Sequence, residues 1–419
     1  MSRFESRIDW TVVLIYILFV VWGWVAIYAA SVKNTDASIF NLQFTFGKQL
    51  IWIVVALAVG IVVLYTDTKF IELVSPVVYG ASLLLMTLTV LFGKEINGAK
   101  AWLDVGGFRL QSSEFGKLGT ALFLASYMSR FNFSFKYFRH RLTIFGIIAL
   151  PIMLTMLQKD TGTALVFTSF LVMVYREGLN PIYLLMLFAL GISAILGLVT
   201  NPVLLVSGIS LAVVLSYYFL YNKKFLGVHV ALGLLFCATS LGVDYVVDNV
   251  LKPHQRNRIY AALDPESDPQ GVNWNTLQSK IAIGSGGFSG KGFLQGTQTK
   301  FDFVPQQDTD FIFCTIGEES GWLGSTAFLA LMFVFLWQLT HMAENSKSAY
   351  ARIFGYGVVS IIFFHVTVNI GMTIGLIPVI GIPLPFFSYG GSSLVSFTVM
   401  VFVMLNFYAN RTNVLAPRR

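Results

Sequence analysis

The sequence predicts an all-α polytopic membrane protein, built as a helical bundle of about 10 to 12 transmembrane helices. Hydrophobic residues make up 56% of its 419 residues and charged residues only 12%, whereas charged residues are about 25% of a soluble domain. Apolar runs of about 20 residues, the length that crosses a hydrocarbon core, recur along the chain. We expect a single integral membrane domain over 1–419, containing one long loop at 249–309.

Twelve apolar runs are candidate spans when the chain is taken in order. Short runs such as 142–157 need local bilayer thinning or protein neighbours, and only Asn201 and Pro202 separate the two runs in 181–220. These features leave the number of spans between ten and twelve. The candidates lie near 10–30, 48–65, 72–93, 113–129, 142–157, 162–175, 181–199, 202–220, 226–247, 320–340, 352–373 and 388–409.

The basic residues indicate the direction in which the chain crosses the membrane, because Lys and Arg collect on the cytoplasmic side. With the N-terminus inside, the inner segments hold fifteen basic residues and the short outer segments hold seven. The remaining six lie in 249–309, whose length exempts it from the rule. We expect both termini in the cytoplasm and this loop outside, together with 94–112, 158–162 and 384–391.

The same features exclude other classes of protein. The net charge of +7 does not indicate nucleic-acid binding, because the basic residues lie in short loops where topology explains them. Cys237 and Cys314 are too few for a disulfide framework or a metal site, and we expect them to pack in apolar segments. The first apolar run is too long for a signal-peptide core, which predicts an uncleaved span.

Several charged residues lie at or near the predicted spans. Glu114 and Lys117 are three residues apart and share a helix face. A charge inside a span costs about 2.5 to 3.5 kcal/mol and usually faces a cavity or a partner; the simpler alternative is a salt bridge at the interface, with Lys117 extended toward water. The simpler interpretations are a helix N-cap for Asp160 and a solvated helix end for Glu318 and Glu319.

The long loop contains LDPESDPQG at 263–271 and a Gly-rich run at 283–293. Asp264 and Asp268 each precede a proline in a good turn sequence. The alternating acidic residues could also gather a hard cation, although they lack the glycine and distal glutamate of an EF-hand. The Gly-rich run does not fit a phosphate-loop motif, but its backbone amides could hold an anion.

One segment is specific enough to identify a family. NIGMTIGLIPVIGIPLPFFSYGGSS, from Asn369 to Ser393, resembles the signature of the SEDS proteins, the shape, elongation, division and sporulation family. AWLDVGGFRLQSSEFGKLG, QKDTGTAL, LDPESDPQG and TDFIF extend the similarity over most of the chain. The run QSKIAIGSGGFSGKGFLQGTQ is more similar to the RodA branch of the family than to the FtsW branch. The resemblance implies a SEDS-type helical bundle with a large outer loop.

This resemblance implies a peptidoglycan glycosyltransferase of the bacterial cytoplasmic (inner) membrane. Such an enzyme polymerises lipid II into glycan strands during cell elongation and releases undecaprenyl pyrophosphate. Its implied partner is a class B penicillin-binding protein transpeptidase, within the elongation machinery that sets cell shape. A lipid II flippase or transporter and a non-catalytic scaffold for the transpeptidase remain alternatives. The scarcity of charges near the membrane midplane favours the enzyme over the transporter.

The resemblance also assigns functional residues. The essential carboxylate of the family corresponds to Asp268, in an Asp-Pro-x-Gly step, and Asp264 is the weaker candidate. Asp268 is then the expected general base. No metal site is assigned; a divalent cation would neutralise pyrophosphate, but the sequence offers no dedicated ligands for one. The expected substrate-binding or supporting residues are Trp102, Glu114, Lys117, Asp160, Ser388, Gly390 and Gly391.

The chain departs from the family pattern in several places. Ser112 stands where the family usually has proline, Lys159 and Thr161 alter a QPDLGT motif, and Asp308 replaces a common histidine. The family typically has ten spans, with one helix where 181–247 here contains three apolar runs. Either the chain has an added pair of helices, which could form a further partner surface, or the spans in this region are miscounted.

Overall fold

The computed structural model describes residues 7–32, 38–96, 98–106, 108–219, 226–250, 256, 260, 273–301 and 303–411. These residues form a predominantly helical protein, as expected. The elements are α1 (Trp10–Ser31), α2 (Thr45–Tyr65), α3 (Thr68–Phe92), β1 (Lys94–Ile96), β2 (Ala99–Val105), β3 (Phe108–Gln111), α4 (Ser112–Met128), α5 (Phe138–Leu157), α6 (Thr161–Thr168), α7 (Phe170–Arg176), α8 (Ile182–Val199), α9 (Pro202–Phe219), α10 (Leu226–Tyr245), α11 (Trp274–Ser285), α12 (Thr297–Lys300), α13 (Ile312–Glu344), α14 (Ala349–Thr373) and α15 (Gly391–Ala409).

Eight of the described helices are long and apolar enough to cross a membrane: α1, α2, α3, α5, α8, α13, α14 and α15. Helix α4 has 17 residues, and the predicted span 162–175 is divided into the short helices α6 and α7. Length and composition therefore support a multi-pass membrane protein and leave the number of spans between ten and twelve unconfirmed.

The chain forms two compact units, of which the first contains Met1–Gly178 and Trp274–Arg419. Helices α14 and α15 form its centre, since 72% and 78% of the residues in their most apolar stretches are buried, against 28% for α2. Helix α4 packs against α3, α14 and α15. Large apolar side chains elsewhere on the helices are exposed, as expected of surfaces that contact lipid.

The ends of these helices follow from local sequence. Helix α1 begins at Trp10 because Asp9 Oδ1 accepts hydrogen bonds from the backbone N–H groups of Thr11 and Val12, at 3.1 and 3.3 Å. Helix α13 is kinked at Gly321, whose φ of 63° is accessible to glycine but costly for other residues.

A small antiparallel sheet precedes α4, in a region that the sequence predicted only as an outer loop. Its strand order is β1-β2-β3, and Trp102 in β2 lies opposite both Lys94 in β1 and Gln111 in β3. Strand β3 ends at Gln111 and α4 begins at Ser112, so the sheet fixes where the first turn of α4 starts.

The second unit, Leu179–Asn273, contains α8, α9, α10 and a π-helical turn at Val246–Val250. Ser193 Oγ lies 2.9 Å from Ser240 Oγ, and a Cβ at Gly197 would clash with the backbone of Ser240. Small residues thus allow α8 and α10 to approach closely, a common form of packing between membrane helices. The structure describes three separate helices in this region, of which α8 alone is among the eight that are long and apolar enough to cross a membrane. The number of spans here is therefore not confirmed.

Candidate functional site

Motifs that are far apart in the sequence come together where β3 joins α4. The Gln111 backbone N–H donates to Ser392 Oγ at 3.1 Å, and Gln111 Nε2 donates to Asp160 Oδ2 at 3.2 Å. One residue at the start of α4 therefore joins the segments before α6 and at the start of α15. The sequence placed these motifs on one side of the membrane but did not show that they touch.

A buried charged cluster lies one turn further into α4. Lys117 Nζ donates to Glu114 Oε1 at 2.7 Å and hydrogen bonds with His365 Nε2 of α14 at 2.8 Å. The ammonium also lies 5.2 Å from the ring centroid of Phe397, within cation–π distance. The side chains of Glu114 and Lys117 are 1% and 0% exposed. The expected salt bridge is present, but it is buried in the bundle and Lys117 does not extend toward water.

The hydrogen bonds of His365 define its tautomer. His365 Nδ1 lies 3.0 Å from the carbonyl oxygen of Pro383, which can only accept, so Nδ1 carries the proton. The Lys117 ammonium can only donate, so Nε2 is the acceptor. His365 is therefore neutral and holds Lys117 against Glu114.

The other carboxylate oxygen of Glu114 is the unusual feature of this cluster. Glu114 Oε2 is buried and has no hydrogen-bond partner among the residues that the structure describes. Buried polar atoms are almost always hydrogen bonded, and an unsatisfied one calls for an explanation such as a catalytic role or a missing water. Lys117 has one further N–H beyond the two that contact Glu114 and His365.

Asp160 has the capping role that its simpler interpretation predicted. Asp160 Oδ1 accepts from the Thr163 backbone N–H at 3.0 Å, and Oδ2 accepts from the Thr163 hydroxyl at 2.7 Å and from Gln111. The side chain is partly buried. Asp160 therefore both starts α6 and holds the β3–α4 junction.

Trp102 and the residues of the SYGG segment surround this junction. Trp102 is partly buried in β2, directly opposite Gln111. Ser388 Oγ donates to the Thr309 carbonyl at 2.6 Å and accepts from the Leu384 N–H at 2.7 Å. Ser388 thus connects the segment before α13 to the segment before α15, which is a structural role in this geometry.

The two glycines of the SYGG segment allow close approach to α2. The Gly390 N–H donates to Gln49 Oε1 at 3.3 Å, and a Cβ at Gly391 would overlap the indole of Trp52. Next to them, burial and then the Asp308 carboxylate raise the pKa of the Tyr389 phenol above its usual value. Tyr389 therefore stays neutral at physiological pH.

Glu318 is buried and not at a solvated helix end, so that interpretation is wrong. Glu318 Oε1 accepts from the backbone N–H groups of Thr297 and Gln298, at 2.8 and 2.9 Å, and from Lys291 Nζ at 2.7 Å. Glu318 Oε2 accepts from the Thr299 N–H at 2.9 Å. Glu319 is also buried, and its Oε1 accepts from the Leu294 N–H at 3.0 Å.

The backbone of α13 changes the interpretation of the Gly-rich segment. The sequence left open that its backbone amides hold an external anion. The N–H groups of Lys291 and Gly292 instead donate to the backbone carbonyls of Glu318 and Glu319, both at 3.0 Å. The backbone of α13 therefore occupies the amides of Lys291 and Gly292, which are not free to hold an external anion.

The expected base, Asp268, and the weaker candidate, Asp264, lie outside the described residues. Their side chains are therefore not part of the geometry above. Among the residues that the structure does describe, no three His, Cys, Asp or Glu side chains are grouped so that they could hold a metal ion. Cys237 and Cys314 are free, partly buried and buried respectively, as expected of packing residues.

Comparison with known proteins identifies the family. A family model described as a cell cycle protein, covering FtsW, RodA and SpoVE, matches residues 9–207 and 189–413. The chain belongs to this family. It is 32% identical over 424 residues to the peptidoglycan glycosyltransferase RodA of Treponema pallidum (strain Nichols), across 94% of this chain and 95% of the relative. It is 31% identical over 407 residues to the peptidoglycan glycosyltransferase MrdB of Escherichia coli (strain K12), across 97% and 95%.

Solved structures show the same fold. A chain described with a peptidoglycan synthase complex that coordinates polymerization and crosslinking has a TM-score of 0.68 and 24% identity, and the match covers 96% of this chain and 98% of that one. The rod shape determining protein RodA of Thermus thermophilus has a TM-score of 0.60 and 24% identity, over 96% and 97%. These matches confirm the family's helical bundle.

Sequence reasoning missed His365 and identified Asn369 only as part of the family signature. His365 hydrogen bonds with Lys117, and Asn369 Nδ2 donates to the carbonyls of Asp310 and Ile382, at 2.8 and 2.7 Å. Both residues lie on α14, four positions apart and on one helix face. The signal that could have found His365 is an ionisable residue inside an apolar span.

Proposed function

We propose that this chain is a peptidoglycan glycosyltransferase that polymerises lipid II, with its active site on the outer face of the bacterial cytoplasmic membrane. The observation that carries the proposal is full-length similarity to two peptidoglycan glycosyltransferases at 31% identity or more. The buried Glu114–Lys117–His365 cluster, with one unpartnered carboxylate oxygen, supports a chemical role for this region.

The proposed reaction is an inverting glycosyl transfer. The 4-hydroxyl oxygen of one lipid-linked disaccharide forms a bond to the anomeric carbon of another. The bond from that carbon to the pyrophosphate oxygen breaks, and the electron pair leaves with undecaprenyl pyrophosphate. Asp268 takes the hydroxyl proton as general base, which typically contributes 10²- to 10⁴-fold to a rate.

In this proposal Glu114, Lys117 and His365 order the site. The carbonyl of Pro383 fixes the His365 ring, His365 holds Lys117, and Lys117 fixes Glu114. Glu114 Oε2 is then available to hydrogen bond a sugar hydroxyl or to balance positive charge while pyrophosphate is bound. Trp102, Asp160, Ser388, Gly390 and Gly391 support the surrounding segments by the contacts described above.

The orientation and partners follow from the same proposal. The excess of Lys and Arg in one set of loops supports cytoplasmic termini. A class B penicillin-binding protein would crosslink the glycan that this chain makes, and the similarity to a synthase complex that couples polymerization and crosslinking supports such a partner.

Purified protein, its transpeptidase partner and lipid II provide the decisive experiment. We expect Asp268→Asn to abolish glycan polymer while its unfolding temperature and partner binding are unchanged, because an amide cannot accept the proton. Asp264→Asn in the same loop is the matched control and is expected to retain polymerisation. Product length on gels measures both variants.

Three outcomes contradict the proposal or its assignment. Full activity of Asp268→Asn excludes Asp268 as base, and a reversed pattern assigns that role to Asp264. Transfer of labelled lipid II across vesicles without any polymer indicates a transporter. Partner recruitment without polymer from the wild type indicates a scaffold.

A further inference from the structure

A basic, aromatic-lined cleft lies at the opposite end of α4 from the Gln111 junction. It has a volume of about 530 Å³, within the range of about 300–1,000 Å³ that is typical of small-molecule sites. It is formed by the end of α4, the connection to α5 and the first turns of α5. Its lining residues are Tyr127, Arg130, Phe131, Asn132, Phe133, Arg139, His140 and Thr143.

The residues that line this cleft include two arginines and no acidic residue. The chain has no acidic residue between Glu114 and Asp160, and the α4–α5 connection and its flanks contain four basic ones. Arg130 and Arg139 line the cleft, and guanidinium groups bind phosphate oxygens in paired hydrogen bonds.

A polar atom inside the cleft lacks a partner. His140 Nδ1 is buried and has no hydrogen bond within the described part of the chain. The imidazole is fixed among aromatic rings, with centroids 5.3 Å from Phe133 and 6.0 Å from Tyr127. The Arg130 guanidinium lies 5.2 Å from the Tyr127 ring on the same wall. A ligand oxygen within hydrogen-bond distance of His140 Nδ1 would supply the missing partner, since buried polar groups are normally paired.

We propose that this cleft binds the phosphodiester headgroup of an anionic phospholipid. The position favours a lipid over a soluble phosphate, because the cleft lies at the ends of two apolar helices, where headgroups are found. Phe131 is fully exposed beside it, and Leu142 on the first turns of α5 is 60% exposed. These apolar side chains would contact the acyl chains of the lipid whose phosphate enters the cleft.

In the proposed orientation the α4–α5 connection is cytoplasmic, so the bound lipid would lie in the cytoplasmic leaflet. Binding itself requires neither that orientation nor the glycosyltransferase activity. A failure of this proposal is therefore distinguishable from a failure of the proposed function, since the first concerns lipid retention and the second concerns glycan polymer.

Lipid nanodiscs provide the test. The full chain is reconstituted in phosphatidylcholine with increasing fractions of phosphatidylglycerol, and native mass spectrometry measures the retained phosphatidylglycerol. We expect retention by the wild type and a loss of apparent affinity of about 25-fold in Arg130→Gln/Arg139→Gln, at about fivefold for each basic residue. Lys69→Gln/Lys347→Gln removes two exposed charges that do not line the cleft and is expected to retain the lipid.

Two further measurements separate the alternatives. Arg139→Gln alone changes one exposed residue and is expected to leave the fold of the cleft intact. Its expected fivefold loss of lipid affinity therefore reports the loss of one charge. Soluble glycerol phosphate, added at millimolar concentration to phosphatidylcholine nanodiscs, is expected to leave the cleft unoccupied.

Four results would overturn the proposal. An equal loss in the cleft variant and the Lys69/Lys347 control would show a general surface field without a site. No loss in either cleft variant would exclude the assigned residues. Binding of soluble glycerol phosphate as tightly as the lipid would assign a soluble ligand. Binding of an acidic peptide without retained lipid would assign a protein partner.

Discussion

Glu114 and Glu318 are both buried on helices of the first compact unit, and their surroundings differ. Both oxygens of Glu318 accept hydrogen bonds from the segment 291–299, including three backbone N–H groups. Glu114 accepts one hydrogen bond from Lys117 through Oε1, and its Oε2 has none among the described residues. Burial alone therefore does not distinguish a structural carboxylate from one available for chemistry; the number of satisfied oxygens does.

This difference has an energetic basis. A fully satisfied buried carboxylate stabilises the segment that it contacts, whereas a half-satisfied one costs free energy that the rest of the fold must offset. Glu318 connects α13 to α12 and the Gly-rich run. Glu114 lies beside the β3–α4 junction, where three family motifs meet. We infer that Glu318 maintains the shape of the protein and that Glu114 serves its reaction.

The largest expected effect is on stability, in Glu318→Leu. The substitution leaves one buried and two partly buried backbone N–H groups, and the Lys291 ammonium, without their acceptor. A buried donor without an acceptor costs about 1–3 kcal/mol. We expect a pronounced fall in the thermal unfolding temperature in detergent. Glu344→Leu is the matched control, because Glu344 forms an exposed ion pair with Arg176, of a kind that contributes about 0–1 kcal/mol. Equal unfolding temperatures in the two variants would contradict the role given to Glu318.

The next prediction concerns the pair Glu114 and Lys117. Lys117→Met leaves the buried carboxylate without its cation and is expected to destabilise the protein by about 3–5 kcal/mol. Glu114→Leu/Lys117→Met is expected to recover most of that loss, because replacing both partners by apolar residues is often neutral. Thermal unfolding and lipid II polymerisation are measured on both variants, and neither is expected to make polymer.

If Glu114→Leu/Lys117→Met recovers stability but not polymerisation, the contrast between Glu114 and Glu318 is strengthened. No equivalent double substitution can rescue Glu318→Leu, because three of its partners are backbone N–H groups that a second side-chain substitution does not replace. A double variant of Glu114 and Lys117 that polymerises lipid II at the wild-type rate would show that the cluster serves only packing.

The smallest expected effect is that of Asp160, whose contacts resemble those of Glu318 more than those of Glu114. Asp160→Ala removes the cap of α6 and is expected to cost about 1 kcal/mol. Asp160→Ser keeps a capping oxygen and is expected to restore both stability and polymerisation per folded molecule. A stable but inactive Asp160→Ser would show instead that the carboxylate takes part in the reaction.

Much of the fold could be predicted from the sequence. Every predicted span coincides with one or two described helices, because apolar runs of membrane length have no other stable arrangement in lipid. The Asp160 cap was also predictable, since Asp at the start of a helix accepts the first free N–H groups. The sheet at 94–111 was not predicted, because its strands are short and mixed in polarity, with no run long enough to show alternation.

The site was predictable as a set of positions but not as an arrangement. Family motifs identified Glu114, Lys117 and Asp160, while the partnership of Lys117 with His365 required the packing of α4 against α14. The burial of Glu318 was not predictable either, because the nearby glycines in the sequence indicated a solvated helix end. Its burial depends on a segment about 20 residues earlier that folds back onto α13.

The sequence by itself determined the membrane class, the helical segments and the family, because hydropathy and local motifs are properties of contiguous residues. Only the tertiary structure decided which charges are satisfied. Hydrogen bonds such as those from Lys117 to His365 and from Thr297 to Glu318 join residues that are distant in the chain, and their formation depends on how the helices pack. That packing gives hydrogen bonds to both oxygens of Glu318 and, among the described residues, to only one oxygen of Glu114.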